Sequence, residues 1–120
     1  MVPLRILVVE NETFVAEDIR HILEDAGHTV VGIAKTVGDA LKLARKSKPQ
    51  LAFLDVDLGN GESGLVAADQ LAKDFGVPGV FLTDRTDFRV RAMALDIQPI
   101  GFVTKPYRPE DIVEAASLIG

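Results

Sequence analysis

At 120 residues the chain has the size of one domain with a single core. Its 18 acidic residues against 13 basic ones give a net charge of −5, which argues against wrapping nucleic acid, and no apolar stretch reaches the roughly 20 residues that cross a bilayer. The absence of cysteine excludes disulfides and thiolate metal sites, and the opening MVPLRILVVEN lacks the basic region of a secretory signal, so a cytoplasmic protein with a protein or small-ion partner is expected.

Apolar runs of strand length alternate with stretches of helical period. The first run, LRILVV (4–9), lacks period-two alternation and reads as a strand covered on both faces. Val15, Ile19, Ile22, Leu23 and Ala26 then recur at helical spacing, with Gly27 placed to end that helix. TVVGIA (29–34) is the second strand. Thr36 is placed to cap a second helix with Asp39 three residues on, its stripe being Val37, Ala40, Leu41 and Ala44 and its stop Pro49. After the third strand, LAFLD (51–55), a helix follows Ser63 with Ala68, Leu71, Ala72 and Phe75 facing inward. GVFLT (79–83) precedes a fourth predicted helix over 87–95, carrying Val90, Met93 and Ala94. GFVT (101–104) is the fifth strand, and Pro109 fits the first position of a fifth helix with Ile112, Val113, Ala116 and Ile119. The alternation predicts a single α/β domain over 1–120: a (βα)5 doubly wound, five-stranded parallel sheet in the flavodoxin-like order 2-1-3-4-5.

In such sheets ligands bind beyond the carboxyl ends of the strands, so the strand ends are read together. They carry Glu10, Asn11 and Glu12 after the first, Asp55 and Asp57 at the third, Thr83 and Asp84 at the fourth, and Lys105-Pro106 after the fifth. Gathered carboxylates make a hard-oxygen site suited to Mg2+, and an aspartate there is a candidate nucleophile towards phosphorus. Lysine can neutralise phosphoryl oxygens and threonine can hydrogen-bond to one. Blander roles exist for each: Asn11 or Thr13 as cap of the first helix, Glu10 and Glu12 as acids at its positive end, Thr83 as strand filler, Phe102 as core, and Lys105 as a surface lysine entering a turn. Asp55 is the hardest to dismiss, because an aspartate closing a buried strand needs a partner.

The acidic end of VVENE, Asp55 in LAFLD, Thr83 in VFLT, Phe102 in GFVTKP and the Lys105-Pro106 pair, in this order and spacing, resemble the receiver domain of two-component response regulators over essentially the whole chain. The resemblance implies that Asp55 accepts a phosphoryl group from a histidine kinase or phosphotransfer protein, with Mg2+ held by Glu10, Asn11, Asp55 and Asp57, the last through its carbonyl. It implies a switch pair, Thr83 and Phe102, that remodels the face of the fourth helix, fifth strand and fifth helix, where a second copy or an output domain docks. It implies a cis Lys105-Pro106 bond, and a domain that assists only its own phosphoryl transfer and hydrolysis. Glu12, Asp84 and Pro106 are modulating positions.

Two residues depart from the family pattern. Asn11 stands where an acid usually gives the metal a carboxylate, leaving the site one formal charge short, and Asp84 stands where a small residue usually follows the threonine. These departures keep open a pseudo-receiver, an interaction module independent of phosphorylation. Two further rivals fit less well. A haloacid-dehalogenase-like phosphatase is suggested by Asp55-Val56-Asp57, but that family carries its DxD on the first strand of a longer chain. A flavin carrier would hold phosphate in its first loop, where ENE repels it.

Overall fold

The computed structural model describes residues 2–84 and 97–119. In chain order its elements are β1 (Arg5–Val9), α1 (Thr13–Asp25), β2 (Thr29–Ala34), α2 (Val37–Ser47), β3 (Leu51–Asp55), β4 (Asp57–Gly59), β5 (Glu62–Ser63), α3 (Gly64–Phe75), β6 (Gly79–Thr83), β7 (Gly101–Thr104) and a last helix, Pro109–Ser117. The fourth predicted helix, 87–95, lies outside the described residues.

All five strands of the main sheet pair in parallel, in the order β2-β1-β3-β6-β7, which is the predicted order once the two short strands β4 and β5 are set aside. Those two form a separate antiparallel ribbon that the apolar patterning did not predict.

Each run lacks period-two alternation because both faces of the sheet are covered. Leu7, Val9, Leu54 and Phe81 point to one side, where Ala40 and Ala44 of α2 and Ala68 and Leu71 of α3 close the core. Ile6, Val8, Phe53, Val80 and Leu82 point to the other, against Ile19 and Leu23 of α1 and Ile112 and Ala116 of the last helix. The small residues facing the sheet from α2 let that helix lie close to it.

The expected caps are largely present. Thr36 accepts the Asp39 N–H at 3.1 Å, Ser63 accepts the Leu65 N–H at 3.1 Å, and Pro109 opens the last helix. Gly27, at φ +97°, follows α1 as predicted. The first helix differs at its other end: Glu12, rather than Asn11 or Thr13, occupies the capping position, and its side chain makes no capping bond. The Glu12 N–H is instead taken by Glu10 Oε1 at 3.1 Å, so an acid at the strand end does the work expected of a cap.

Parallel register then sets the site. Val9 pairs with Leu54, Asp55 with Leu82 and Thr83 with Thr104, so Glu10, Asp55, Thr83 and Lys105 stand in a row at one edge of the sheet.

At the opposite edge His28 is buried, and its Nδ1 accepts the Leu4 N–H at 3.0 Å. Nε2, which has no partner among the described residues, then carries the proton of the neutral ring. Burial pushes the imidazole pKa below its ordinary 6.5. A buried neutral histidine stabilises the fold fully above its unfolded pKa, and that contribution is lost as pH falls through the lower folded value. His28→Asn keeps an acceptor for Leu4 but cannot titrate. In urea titrations the stability difference between wild type and this variant should therefore shrink as pH is lowered from about 7 to about 5.

Candidate functional site

A single ammonium organises the carboxyl edge of the sheet. Lys105 Nζ lies 3.0 Å from Asp55 Oδ2 and 3.1 Å from Glu10 Oε2. Glu10 is fully buried, while the side chains of Asp55 and Lys105 keep 13% and 16% of their surface, enough for a small group to reach them from solvent. The second oxygen of each acid is also used: Glu10 Oε1 accepts the Glu12 N–H, and Asp55 Oδ1 accepts the Asp57 N–H at 3.1 Å.

The electrostatics follow from this crowding. Burial, and then the neighbouring charge of Asp55, push the Glu10 pKa up from 4.5 to about 7. For Lys105 burial works against the ammonium. The hydrogen bond and charge of Asp55, followed by those of Glu10, outweigh it and hold the pKa above the ordinary 10.5. The lysine therefore stays protonated wherever the acids are ionised.

Backbone contacts fix the parts around it. Lys105 N–H donates to the Thr83 carbonyl at 2.7 Å, and the Lys105-Pro106 peptide is cis, as the sequence led us to expect. Tyr107, next in the chain, donates its hydroxyl to Asp18 Oδ2 at 2.6 Å and so ties this turn to α1. Thr83 is buried at the end of β6. Phe102 is half-buried, with its ring centroid 5.9 Å from that of Phe81 and the planes tilted by 33°.

Other predicted site residues stand further from the lysine's contacts. Asp57 is exposed and turns its Oδ1 to the Gly59 N–H at 2.9 Å, leaving its backbone as the part nearest the site's chemistry. Asn11, Glu12 and Asp84 are exposed, as is Pro106. The Asn11 amide leans over the ribbon, with Nδ2 3.1 Å from where a Cβ on Gly59 would stand. Among the described residues no three His, Cys, Asp or Glu side chains gather into a metal-binding group. The two adjacent carboxylates, Glu10 and Asp55, are hard oxygen donors of the kind Mg2+ accepts, and one or two carboxylates are its usual protein share.

Sequence reasoning passed over Gly64. A Cβ there would lie 1.8 Å from the Asp55 carbonyl oxygen, and its N–H donates to the Val56 carbonyl at 2.8 Å. Helix α3 thus starts against the backbone of Asp55, at a distance only glycine permits. The available signal was a poor helix former directly after a capping serine.

A doubly wound α/β domain with an aspartate at the central strand end, held by a lysine from the edge strand and flanked by a buried acid and a threonine, is the arrangement of a receiver-type signalling domain. The chain belongs to the response regulator receiver domain family, whose model matches residues 6–117. It is 35% identical over 108 residues to the phyllosphere-induced regulator PhyR of Methylorubrum extorquens, covering 89% of this chain and 40% of that protein. It is 30% identical over 117 residues to the transcriptional regulatory protein PdtaR of Mycobacterium tuberculosis, covering 98% of this chain and 57% of that protein. The chain thus spans about half the length of these curated relatives. Among solved structures, the response regulator PhyR from Brucella abortus superposes with a TM-score of 0.84 at 33% identity, over 98% of this chain and 47% of that one. The receiver domain of PhyR from Erythrobacter litoralis superposes with a TM-score of 0.82 at 28% identity, over 96% of this chain and 88% of that one.

The Gly64 contact yields a test. Gly64→Ala should destabilise the domain by about 1–3 kcal/mol, because the new methyl group displaces either α3 or the Asp55 backbone. Chemical denaturation measures the loss. The same substitution at Gly38, in the first turn of α2 and with its nearest neighbour 4.0 Å from the new Cβ, controls for the general effect of replacing a helical glycine.

Proposed function

We propose that Asp55 is the phosphoacceptor of this receiver domain, with a histidine kinase or phosphotransfer protein as donor. The observation that carries the reading is the Asp55 carboxylate at the carboxyl end of β3, oriented through both oxygens by Lys105 and the Asp57 N–H and open to solvent. In the transfer an Asp55 oxygen forms a bond to phosphorus while the bond from phosphorus to the donor nitrogen breaks, and that electron pair leaves with the imidazole. Lys105 needs to move little to follow the negative charge from Asp55 to the phosphoryl oxygens, and Thr83 Oγ1 is the hydroxyl on the adjacent strand. Mg2+ would be held by Glu10, Asn11, Asp55 and the Asp57 carbonyl, and would supply charge neutralisation at the transferring group. Asp84, exposed beside Thr83, adds a carboxylate near the incoming phosphoryl group and modulates the yield.

Thr83 and Phe102 form the proposed switch pair. The face they would remodel includes β7 and the last helix, where Leu118 is 61% exposed; its remainder falls among residues 85–96, outside the described ones. A second copy or an output domain is the partner proposed for that face. A cytoplasmic setting fits the absence of a long apolar helix among the described residues and the lack of cysteine.

The alternative, a pseudo-receiver that works without phosphorylation, draws support from one observation: Lys105 already satisfies both carboxylates, and Asn11 adds no third charge. Intact mass after incubation with Mg2+ and acetyl phosphate decides between the two. One phosphoryl group should be gained by the wild type and none by Asp55→Ala, whereas an unmodified wild type would favour the pseudo-receiver.

A protein donor must also cover the mouth of the site. Phe14, in the first turn of α1 two residues beyond Glu12, is 92% exposed and so is available to a protein donor that covers this loop. Phe14→Ala should weaken transfer from the cognate protein donor by about tenfold, the loss typical of an aromatic anchor, while transfer from acetyl phosphate stays unchanged. Parallel kinetics with the two donors read the difference.

A further inference from the structure

We propose that Glu62 is a positioning residue for the chemistry at Asp55: it pins the β4–β5 ribbon to the start of α2 and thereby holds the Asp57 N–H on the Asp55 carboxylate. The inference rests on the phosphoacceptor reading of Asp55.

Glu62 Oε1 accepts the Val37 N–H at 2.8 Å, in a half-buried bond between residues 25 apart in the chain. Val37 is the first residue of α2, so its N–H is one of the four that a helix start leaves without an internal partner. Thr36 caps this helix through the Asp39 N–H, which leaves the Val37 N–H for another acceptor. A carboxylate there gains both a charge-assisted bond and the favourable end of the helix dipole.

The ribbon needs that anchor. It consists of a three-residue and a two-residue strand with a register shift between Asp57 and Gly59, and so short a two-stranded unit is not stable by itself. Leu58 seats the first of these strands in the core on the side of α2 and α3, and the turn, with Asn60 and Gly61 both at positive φ, lies beyond it. Glu62 pairs with Gly59, and Ser63 pairs with Asp57, the residue whose N–H reaches Asp55 Oδ1. At the base the ribbon is closed by the Gly64 N–H on the Val56 carbonyl and by Ser63 capping α3. Glu62 is therefore the side chain that hydrogen-bonds the ribbon to a helix other than the one it runs into. Without it the second strand loses its polar tie to α2, and Asp57, which pairs with Ser63 and orients one Asp55 oxygen, is held through Leu58 in the core and through the base of the ribbon.

Two substitutions remove the bond from opposite sides. Glu62→Ala deletes the acceptor. Val37→Pro deletes the donor and suits the first position of a helix, and Thr36, at φ −133° and ψ 163°, already has the extended backbone that a residue before proline prefers. Glu62→Gln keeps an acceptor oxygen. Two readouts apply: the initial rate of phosphorylation by acetyl phosphate with Mg2+, and amide hydrogen exchange at Asp57 followed by NMR, which global stability alone does not move relative to core amides. Both bond-deleting variants should phosphorylate about tenfold more slowly and exchange the Asp57 amide about tenfold faster, with Glu62→Gln close to wild type. If the wild type is phosphorylated and both variants match its rate, or if Asp57 exchange stays at the wild-type value in both, the role of Glu62 is refuted and Asp55 remains the acceptor. If the wild type takes up no phosphoryl group, the phosphoacceptor reading falls and the positioning role falls with it.

Discussion

The position of one ammonium group, Lys105 Nζ between Asp55 and Glu10, sets the terms for the rest of the site. Two carboxylates on neighbouring strands, one fully buried, repel each other at close range. At an effective dielectric near 20, each contact at about 3 Å with a unit positive charge offsets that by roughly 5 kcal/mol before desolvation is counted. Desolvation takes back much of this gain, so the cluster is better understood as a device for holding charged groups in register than as a source of stability. The Glu10 pKa is raised to about 7, first by burial and then by the charge of Asp55. Two acids and one base leave the pocket with a surplus negative charge that a further cation or a proton can neutralise.

That surplus is smaller than the resembling pattern would provide. A third carboxylate at position 11 would raise that surplus to two; Asn11 leaves it at one. With that smaller surplus the cluster closes on itself, every acid oxygen of Glu10 and Asp55 being hydrogen-bonded.

What the sequence made legible was whatever depends on neighbours along the chain. Unbroken apolar runs announced strands covered on both faces, and Thr36, Ser63, Pro109 and Gly27 marked helix ends through their own local chemistry. Strand order, combined with the rule that ligands sit at strand ends, places Glu10, Asp55, Thr83 and Lys105 together from the sequence alone. The parts that escaped depend on pairs distant in sequence. No periodicity marks a five-residue ribbon whose turn is Asn60-Gly61, and nothing around Glu62 says that its partner is a backbone N–H at the start of α2. The cap of α1 escaped for a related reason: the acid that takes the Glu12 N–H stands before the helix, on the strand end, where it also serves Lys105.

The distribution of rigid and adjustable parts follows from the same contrast. Asp55 and Glu10 extend from strands whose neighbours are fully buried, and Gly64 brings α3 against the Asp55 carbonyl with no space for a methyl group, so the Asp55 backbone is held in place. The groups that meet an incoming ligand are carried differently: Lys105 on a long side chain, Asp57 on a ribbon, Asn11 and Asp84 on exposed turns. Under the proposed transfer, charge would move from the Asp55 carboxylate to a phosphoryl group, and a lysine stem could follow it by rotation about single bonds at little cost. A ribbon moves as a unit, so whatever holds it decides where a backbone N–H points. The bond from Glu62 to the start of α2 therefore links the geometry at Asp55 to that helix through the ribbon, and under the proposed role of Glu62 a displacement of α2 would reach the Asp55 carboxylate by this route.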